Sequence, residues 1–492
     1  MQVLLLWGLG VWVIWADPFG LSSASEHALA EDVSRLRAHA QPVAPAPITV
    51  VNIDYDSIQK LHDAHRLDAD DWPLTYGDHV RILSRLISRL DEDGGPGEAD
   101  VPAAVFYDVF FERPRAASGD MQRLGRMLDR IGRNVDGRHY PPVYLAGGGG
   151  KVPMSDESYA LLHKPKLVAA AWDGLGDDYP LSHELHDPGH ETIVPDTAPS
   201  AAWVLYQALC RARSDCHDIQ PQDVLSPQWV LRGDKAPCGD WADRVPGYVA
   251  RTLSRYLGFS SAPVSASTDC LPVHQVSLST LFQPGGGHLR PPYLAPGEPF
   301  VVLAGVIMPS LNDYHATPLY QRLAGVYIHA MALENLNRLG GDFLRARNIR
   351  YVSLLAWLVL TVLVCGWREF LQDRVVRGIC RRCGWRNQSR RPSEWGVARR
   401  AARRVRQRGA ILVGRILRAL AIPAVMRSAA RRGAARLARR VVWLLIWIAM
   451  VLFIYWLCYA VLDIALQGWL FMIGLVSLLL FWDGSPPAER QS

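Results

Sequence analysis

The chain has 492 residues, 49% of them hydrophobic, and a net charge of +6. That is enough apolar material for one large core or two to three ordinary ones, which excludes a shortage of core as an organising constraint. Charge is unevenly placed: between Arg368 and Arg440 stand 22 Arg against Glu369, Asp373 and Glu394, a net of +19, which leaves −13 for everything else. No Gly-rich phosphate loop stands out, and no nucleophile is spaced with a base in a recognisable way, so nucleotide-dependent and hydrolytic chemistries lack their usual sequence support.

In chain order, Val3 to Ala16 is apolar but only 14 residues long, and Met1 and Gln2 give it no basic flank. A signal anchor, a cleaved signal peptide and a clipped span all remain open, and an anchor over 1–18 is preferred. After a Pro/Ala linker from Gln41 to Pro47, Ile48 to Ile53 is a buried-strand run ending in Asp54 and Asp56. His79 to Leu90 has helical spacing, with Ile82, Leu83, Leu86, Ile87 and Leu90 on one face. A Gly/Pro/acid loop, Asp91 to Pro102, leads to a second apolar strand, Ala103 to Phe111, interrupted by Asp108. A helix from about Asp120 to Ile131 and a strand at Val143 to Ala146 follow. Strand alternating with helix predicts an α/β domain on a mostly parallel sheet. Gly147 to Gly150 follows a strand but opens no helix.

The stretch 150–295 fits this alternation poorly and reads as elaboration on the core. Its HELHDPGHE segment holds the densest metal-capable set, His183, Glu184, His186, His190 and Glu191. The central Pro188-Gly189 turn makes it a hairpin tip and not a helical zinc motif, so a solvated hairpin outweighs metal capture. Cys210, Cys216, Cys238 and Cys270 are an even set suited to an oxidising compartment. Of three connectivities, Cys210 with Cys216 and Cys238 with Cys270 is preferred, because the first closes a short loop and the second brackets an apparent insertion.

From Phe300 to Leu336 an apolar strand, a polar loop and a helix follow in fixed order. Val301 to Ile307 suits a strand buried on both faces, Met308 to Pro318 is a loop, and from Leu323 the residues Val326, His329, Ala330, Leu333 and Leu336 share a helical stripe. The markers Gly305, Asp313, Thr317-Pro318, Gly325 and His329-Ala330 resemble the closing segment of the CHASE2 family of extracytoplasmic sensory domains. The opening half is similar too, in IDYDSI, Trp72-Pro73, HVRILSRLISRL and FYDVFFERP. The resemblance implies a bacterial inner-membrane protein whose sensor domain, here 41–345, lies outside and reports through transmembrane helices.

Asp54, Asp56, Asp108 and Asp313 fall at or just beyond apolar strands. The crevice at the carboxyl ends of an open α/β sheet collects ligands, so these carboxylates are candidates for a hard cation or a cationic ligand. Capping by Asp56 and backbone hydrogen bonding by Asp108 are the structural alternatives. Thr317-Pro318 is expected to set the loop, and His329 to be a core histidine paired with Asp313 or Thr317. If His329 titrates, it becomes a proton sensor near neutral pH.

Tyr351 to Trp367 is 17 uncharged residues, about 25 Å as a helix, enough for one crossing. Val441 to Trp482 carries only Asp463 and reads as two spans, 441–461 and 464–482, with a tail at 483–492. The basic segment 368–440 then lies in the cytoplasm and residues 17–350 outside. Ile411 to Met426 does not cross, because Arg415 and Arg418 sit mid-helix at about 2.5–3.5 kcal/mol each on insertion. An interfacial amphipathic helix against anionic lipid is the better reading. Cys380 and Cys383 have no second pair nearby, and reduced bystanders outweigh a zinc site shared by two chains.

With ten residues after Trp482, no fused catalytic output domain is expected. The expected function is therefore a membrane-anchored sensor or receptor for a small-molecule or ionic ligand, relaying in trans to a cytoplasmic effector, with homodimerisation left open. The alternatives are a structural or docking subunit of a membrane assembly and, behind it, an extracytoplasmic enzyme. No cofactor is expected.

Overall fold

A computed structural model of the chain describes residues 34–343 apart from 36, 88–100, 116–117, 133–139, 150–151, 171–177, 187–191, 214–216, 235–237, 239–265, 284–288, 312 and 321; outside that span it describes only 7–8, 11–12 and 358. Ala28–Arg347 is one compact unit, and Met1–His27 with Asn348–Ser492 is another. Everything below concerns the first. Among the described residues no helix is long and apolar enough to cross a membrane. The segments expected to span, 351–367, 441–461 and 464–482, and the Arg-rich segment 368–440 lie outside the described residues but for Leu358, as does most of 1–18.

Six strands form one sheet: β1 (Ile48–Ile53), β2 (Val105–Phe110), β3 (Val143–Ala146), β6 (Lys166–Val168), β11 (His274–Ser277) and β12 (Val301–Val306), in the order β11-β1-β12-β2-β3-β6. All five pairings are parallel. Such a sheet is covered on both faces, and its central strands are apolar runs for that reason. Every residue of β12, VVLAGV, is buried, and this last strand sits between β1 and β2. Ile48, Val50, Phe106, Val301 and Leu303 belong to the core under one face; Val51, Ile53, Val105, Tyr107 and Val302 belong to the core under the other. That two-residue alternation is the strand repeat itself.

Helices α1 (Tyr55–Asp63), α2 (Tyr76–Ile87), α3 (Ser118–Gly132), α4 (Asp156–Leu161) and α6 (Leu278–Leu281) cover the second face. α5 (Ala201–Arg213) and α7 (Gly325–Leu339) cover the first. The result is the α/β domain on a parallel sheet that the alternation predicts. α2 begins three residues before His79 because Thr75 and Asp78 build a reciprocal cap. The Asp78 N–H donates to Thr75 Oγ1 at 3.1 Å, and the Thr75 N–H to Asp78 Oδ2 at 3.3 Å. Asp78, fully buried, also accepts from the amides of Asp68 and Ala69 and from Arg81 Nη1, tying the 67–75 loop and its cis Trp72–Pro73 bond to the helix.

The stretch expected to be elaboration is part of the core. It supplies edge strands β6 and β11 and helix α5, together with the short strands β5 (Val152–Pro153), β7 (Tyr179–Pro180), β8 (Ser182–Glu184), β9 (Thr197–Pro199) and β10 (Val224–Leu225); β4 (Gly148–Gly149), just before it, pairs with β5. Strands of two or three residues are too short for periodicity to register. Cys238 and Cys270 form a disulfide with Cα atoms 5.4 Å apart, the preferred pairing. Cys210 is disulfide-bonded as well, and Cys216 lies outside the described residues.

α7 is buried around its whole circumference from Gly325 to Leu336, and not on one stripe only. It is enclosed because the sheet and α5 both pack against it and the Gln228 backbone reaches Asn335. The Asn335 side chain accepts from the Gln228 N–H at 2.7 Å and donates to the Gln228 carbonyl at 3.0 Å, so it substitutes for a strand neighbour of that segment.

Candidate functional site

The carboxyl ends of the central strands converge on the start of α7. The register runs Ser277, Asn52, Gly305, Asp108 across four strands, so these residues share one face. It is the face under α7. A Cβ at Gly305 would lie 2.6 Å from Val326 Cβ, and the Tyr327 hydroxyl lies 2.8 Å from Asn52 Oδ1 and 2.9 Å from Gln275 Oε1. Asp108, two residues beyond Phe106, follows onto the same side, where Phe106 meets the His329 ring edge-on at 5.3 Å.

Beyond β12 the chain forms a small antiparallel ladder, β13 (Tyr314–His315) with β14 (Leu323–Ala324), inside what the sequence reads as loop and helix start. Ala324 stays extended at ψ 147°, and α7 begins at Gly325. The Gly325 N–H donates to the Asp313 carbonyl at 3.0 Å, and Asp313 Oδ1 lies 2.5 Å from where a Cβ on residue 325 would stand. With glycine there, the Asp313 carboxylate can stand at the positive end of the α7 dipole without moving aside for a Cβ. His315 Nε2 lies 3.7 Å from Asp313 Oδ1, and both side chains are exposed.

Asp108 is half-buried and accepts no hydrogen bond from any described residue. Loss of water pushes its carboxyl well above the usual carboxylate range, and the charge of Asp313 pushes it further. His329, buried, shares a 2.7 Å hydrogen bond between Nδ1 and the Tyr179 hydroxyl, whose oxygen also accepts from the Ala202 N–H at 3.2 Å. The Ala170 backbone gives the ring a second hydrogen bond. Burial lowers the His329 pKa to about 4. His315 adds to the fall, while Asp313 and the Ala170 backbone offset part of it. His329 is therefore neutral at neutral pH and pairs with Tyr179.

Residues 5–367 match the CHASE2 domain. The chain belongs to the CHASE2 domain family. It matches no curated protein and no solved structure. CHASE2 is a family of sensor domains, which accords with a sensor role for the chain.

Within this CHASE2 domain the sequence-predicted residues separate into two groups. The charge of Asp313 acts on both Asp108 and His329. Asp54 instead caps α1, accepting from the Ser57 N–H at 2.6 Å, and Asp56 is an exposed partner of Lys60 at 2.6 Å. Thr317 closes its own turn: Oγ1 donates to the Tyr320 carbonyl at 2.7 Å and accepts from the Tyr320 N–H at 3.0 Å. That is the loop-setting role the sequence suggests for Thr317-Pro318. His183 faces its neighbour's carbonyl, with Nδ1 2.8 Å from Glu184 O; His186 is buried with Nε2 3.1 Å from Asp196 Oδ1; His190 lies outside the described residues. No group of three metal-capable side chains gathers among the described residues. Sequence reasoning missed Asn52, Tyr179, Gln275, His315 and Tyr327. Tyr179 stands in the irregular middle stretch, where nothing local marks it. His315 and Tyr327, by contrast, flank Asp313 and Gly325 in the motif that was read.

Proposed function

We propose that this chain is a membrane-anchored sensor whose CHASE2 domain lies outside the cytoplasm and relays to a separate cytoplasmic effector. The observation that carries it is the course of α7. Its first residue is clamped by Asp313 at the mouth of the crevice, its length is enclosed by the core, and only residues 340–350 separate its end from the apolar run Tyr351 to Trp367. A shift at the crevice therefore has a stiff element through which to reach the expected span. The segment 368–440, at +19, is the surface on which an acidic effector or anionic lipid would dock.

A single cysteine at Gln407 tests the topology. It should react with an impermeant maleimide only after the cells are opened, and labelling in intact cells would remove the proposal. The relay is tested by crosslinking from the same position to a cytoplasmic protein and deleting 368–440. Loss of the crosslinked partner's response to the sensor is expected; an unchanged response would favour a structural role.

A further inference from the structure

We propose that the cavity at the amino edge of β3 and β6 seats the headgroup of an anionic phospholipid. The proposal rests on the membrane-anchored reading above and goes beyond it, by assigning a lipid site to the sensor domain itself.

The cavity holds about 400 Å3 between the last turn of α3 and the first residues of β3 and β6. Small-molecule sites usually hold about 300–1,000 Å3. Leu128, Ile131 and Val143 give it an apolar wall, while His163, Lys164 and Lys166 line it as exposed residues. Asp129 lines it too and has a partner of its own. Among the described residues neither lysine meets a carboxylate: the Lys164 side chain has no partner there, and Lys166 Nζ lies 5.9 Å from the centroid of the Tyr144 ring. Ammonium groups without carboxylates, beside an apolar wall, suit a phosphate carried on an apolar body.

The cationic side is built by a costly turn. His163 and Lys164 both hold left-handed backbone, at φ 60° and 55°, which residues with a Cβ avoid. Helices commonly close on one such residue, usually glycine, and here two other residues follow α4 in succession. The His163 N–H donates to the Ala160 carbonyl at 3.0 Å, and the Lys164 N–H to the Tyr159 carbonyl at 2.9 Å. α3 presses on the same turn at Gly125, where a Cβ would meet the Leu161 carbonyl oxygen and stand 3.0 Å from His163 Cδ2. The turn is thus held from both sides, and with it the place of His163 and Lys164 at the cavity.

Location favours a lipid over a soluble anion. α7 runs back along the sheet: Val326 stands against Gly305 near the end of β12, and His329 meets Phe106, whose register partner is Leu303 near its start. The helix continues to Leu339, about 15 Å beyond His329 at about 1.5 Å per residue, and so passes the amino edge of β12. The chain leaves the domain at the edge where the cavity lies, and only residues 340–350 separate it from the apolar run Tyr351 to Trp367. A cationic site on that edge is the one a tethering bilayer can reach.

The full-length chain in lipid nanodiscs tests this, with a phosphatidylglycerol that carries a photoreactive diazirine beside its headgroup. Peptides spanning 140–143 and 163–166 should be captured, and a phosphatidylcholine analogue should not capture them. A basic residue at an anionic surface contributes about a factor of five in affinity. Lys164→Gln should therefore raise the phosphatidylglycerol fraction for half-maximal capture about fivefold, and adding Lys166→Gln should raise it further. Lys60→Gln, on an exposed α1 lysine paired with Asp56, should leave it unchanged. Equal capture by the phosphatidylcholine analogue overturns the proposal, and so does capture that survives both lysine substitutions. Protection of Lys164 from amine labelling by inorganic phosphate, with no lipid capture, would also overturn it and assign the site to a soluble anion. A chain whose Gln407 position labels only in opened cells, yet shows no capture, loses this proposal alone; a chain that does not enter the discs loses the anchored reading with it.

Discussion

Gly305→Ala should force α7 away from the sheet. The new Cβ would meet Val326 Cβ at 2.6 Å and the two Cγ atoms at 2.8 and 3.1 Å. Carbon atoms pack at about 3.5–4.0 Å, so α7 and β12 must part by about 1 Å. Neither yields easily: β12 is paired on both sides, and α7 is enclosed by the core. Overpacking of this kind costs about 1–3 kcal/mol, and a clash that involves backbone-anchored Cβ atoms belongs near the upper value. With a urea m-value of about 3 kcal/mol/M for a large domain, 3 kcal/mol lowers the midpoint by about 1 M, which near-UV circular dichroism of the full-length chain will resolve. Adding Val326→Ala removes the Cγ atoms but keeps the closest one, so rescue should be partial. An unchanged midpoint in Gly305→Ala, or complete rescue by Val326→Ala, would refute the claim that a missing side chain at 305 sets the helix–strand distance.

Tyr179→Phe removes a hydroxyl that serves His329 Nδ1 and the Ala202 N–H, both buried, and should cost about 1–3 kcal/mol for each group left unpaired, read as a lowered Tm. Arg338→Met strands the Glu334 carboxylate, which is 2% exposed and holds Arg338 Nε at 2.6 Å. The cost should be about 3 kcal/mol, the low end for a broken buried pair because Arg338 is 28% exposed. Burial raises the Glu334 pKa against the lowering effect of Arg338, so stability from its neutral form is full below about 4.3 and is lost as pH rises through the folded value. The variant should accordingly lose more stability at about pH 8 than at about pH 5, and equal losses would contradict the assignment. Acid should weaken the fold through two other groups. Burial holds His79 at about 3 and His329 at about 4, so their contribution is complete above the ordinary value of about 6.5 and declines as pH falls below it. His329 alone accounts for roughly 3 kcal/mol by pH 4. His329→Gln should flatten that limb of a Tm-versus-pH curve.

What was legible in the sequence follows the length of each signal. β1 and β3 fall at their expected bounds because ITVVNI and VYLA are apolar runs closed by an Asp and by glycines. α2 starts three residues ahead of the stripe that opens at His79, because Thr75 and Asp78 spell a capping box and a cap precedes the first striped residue. α7 carries the sharper lesson. Its stripe is present in the sequence, but Glu334 and Asn335 look like a solvent face; they are buried because Arg338 neutralises one and Gln228, far off in the chain, accommodates the other. A polar residue satisfied by a distant backbone leaves no periodic mark.

The candidate site divides along the same line. Strand ends announce carboxylates, and four were named, but only pairing order decides which of them meet. Asp54 and Asp56 follow β1 directly and turn into α1, so local geometry uses them as a cap and a surface ion pair. Asp108 and Asp313 come to the same end of the sheet because β12 inserts between β1 and β2 and places Gly305 beside Asp108, after which the chain returns through the β13–β14 ladder to α7. The two glycines of the motif then acquire distinct physical reasons: Gly305 lets α7 approach the sheet, and Gly325 lets Asp313 approach α7. Both keep side chains out of the short path between the crevice and the helix. The Asp313 carbonyl, which accepts the Gly325 N–H, then ties the strand-end ladder to the start of the helix.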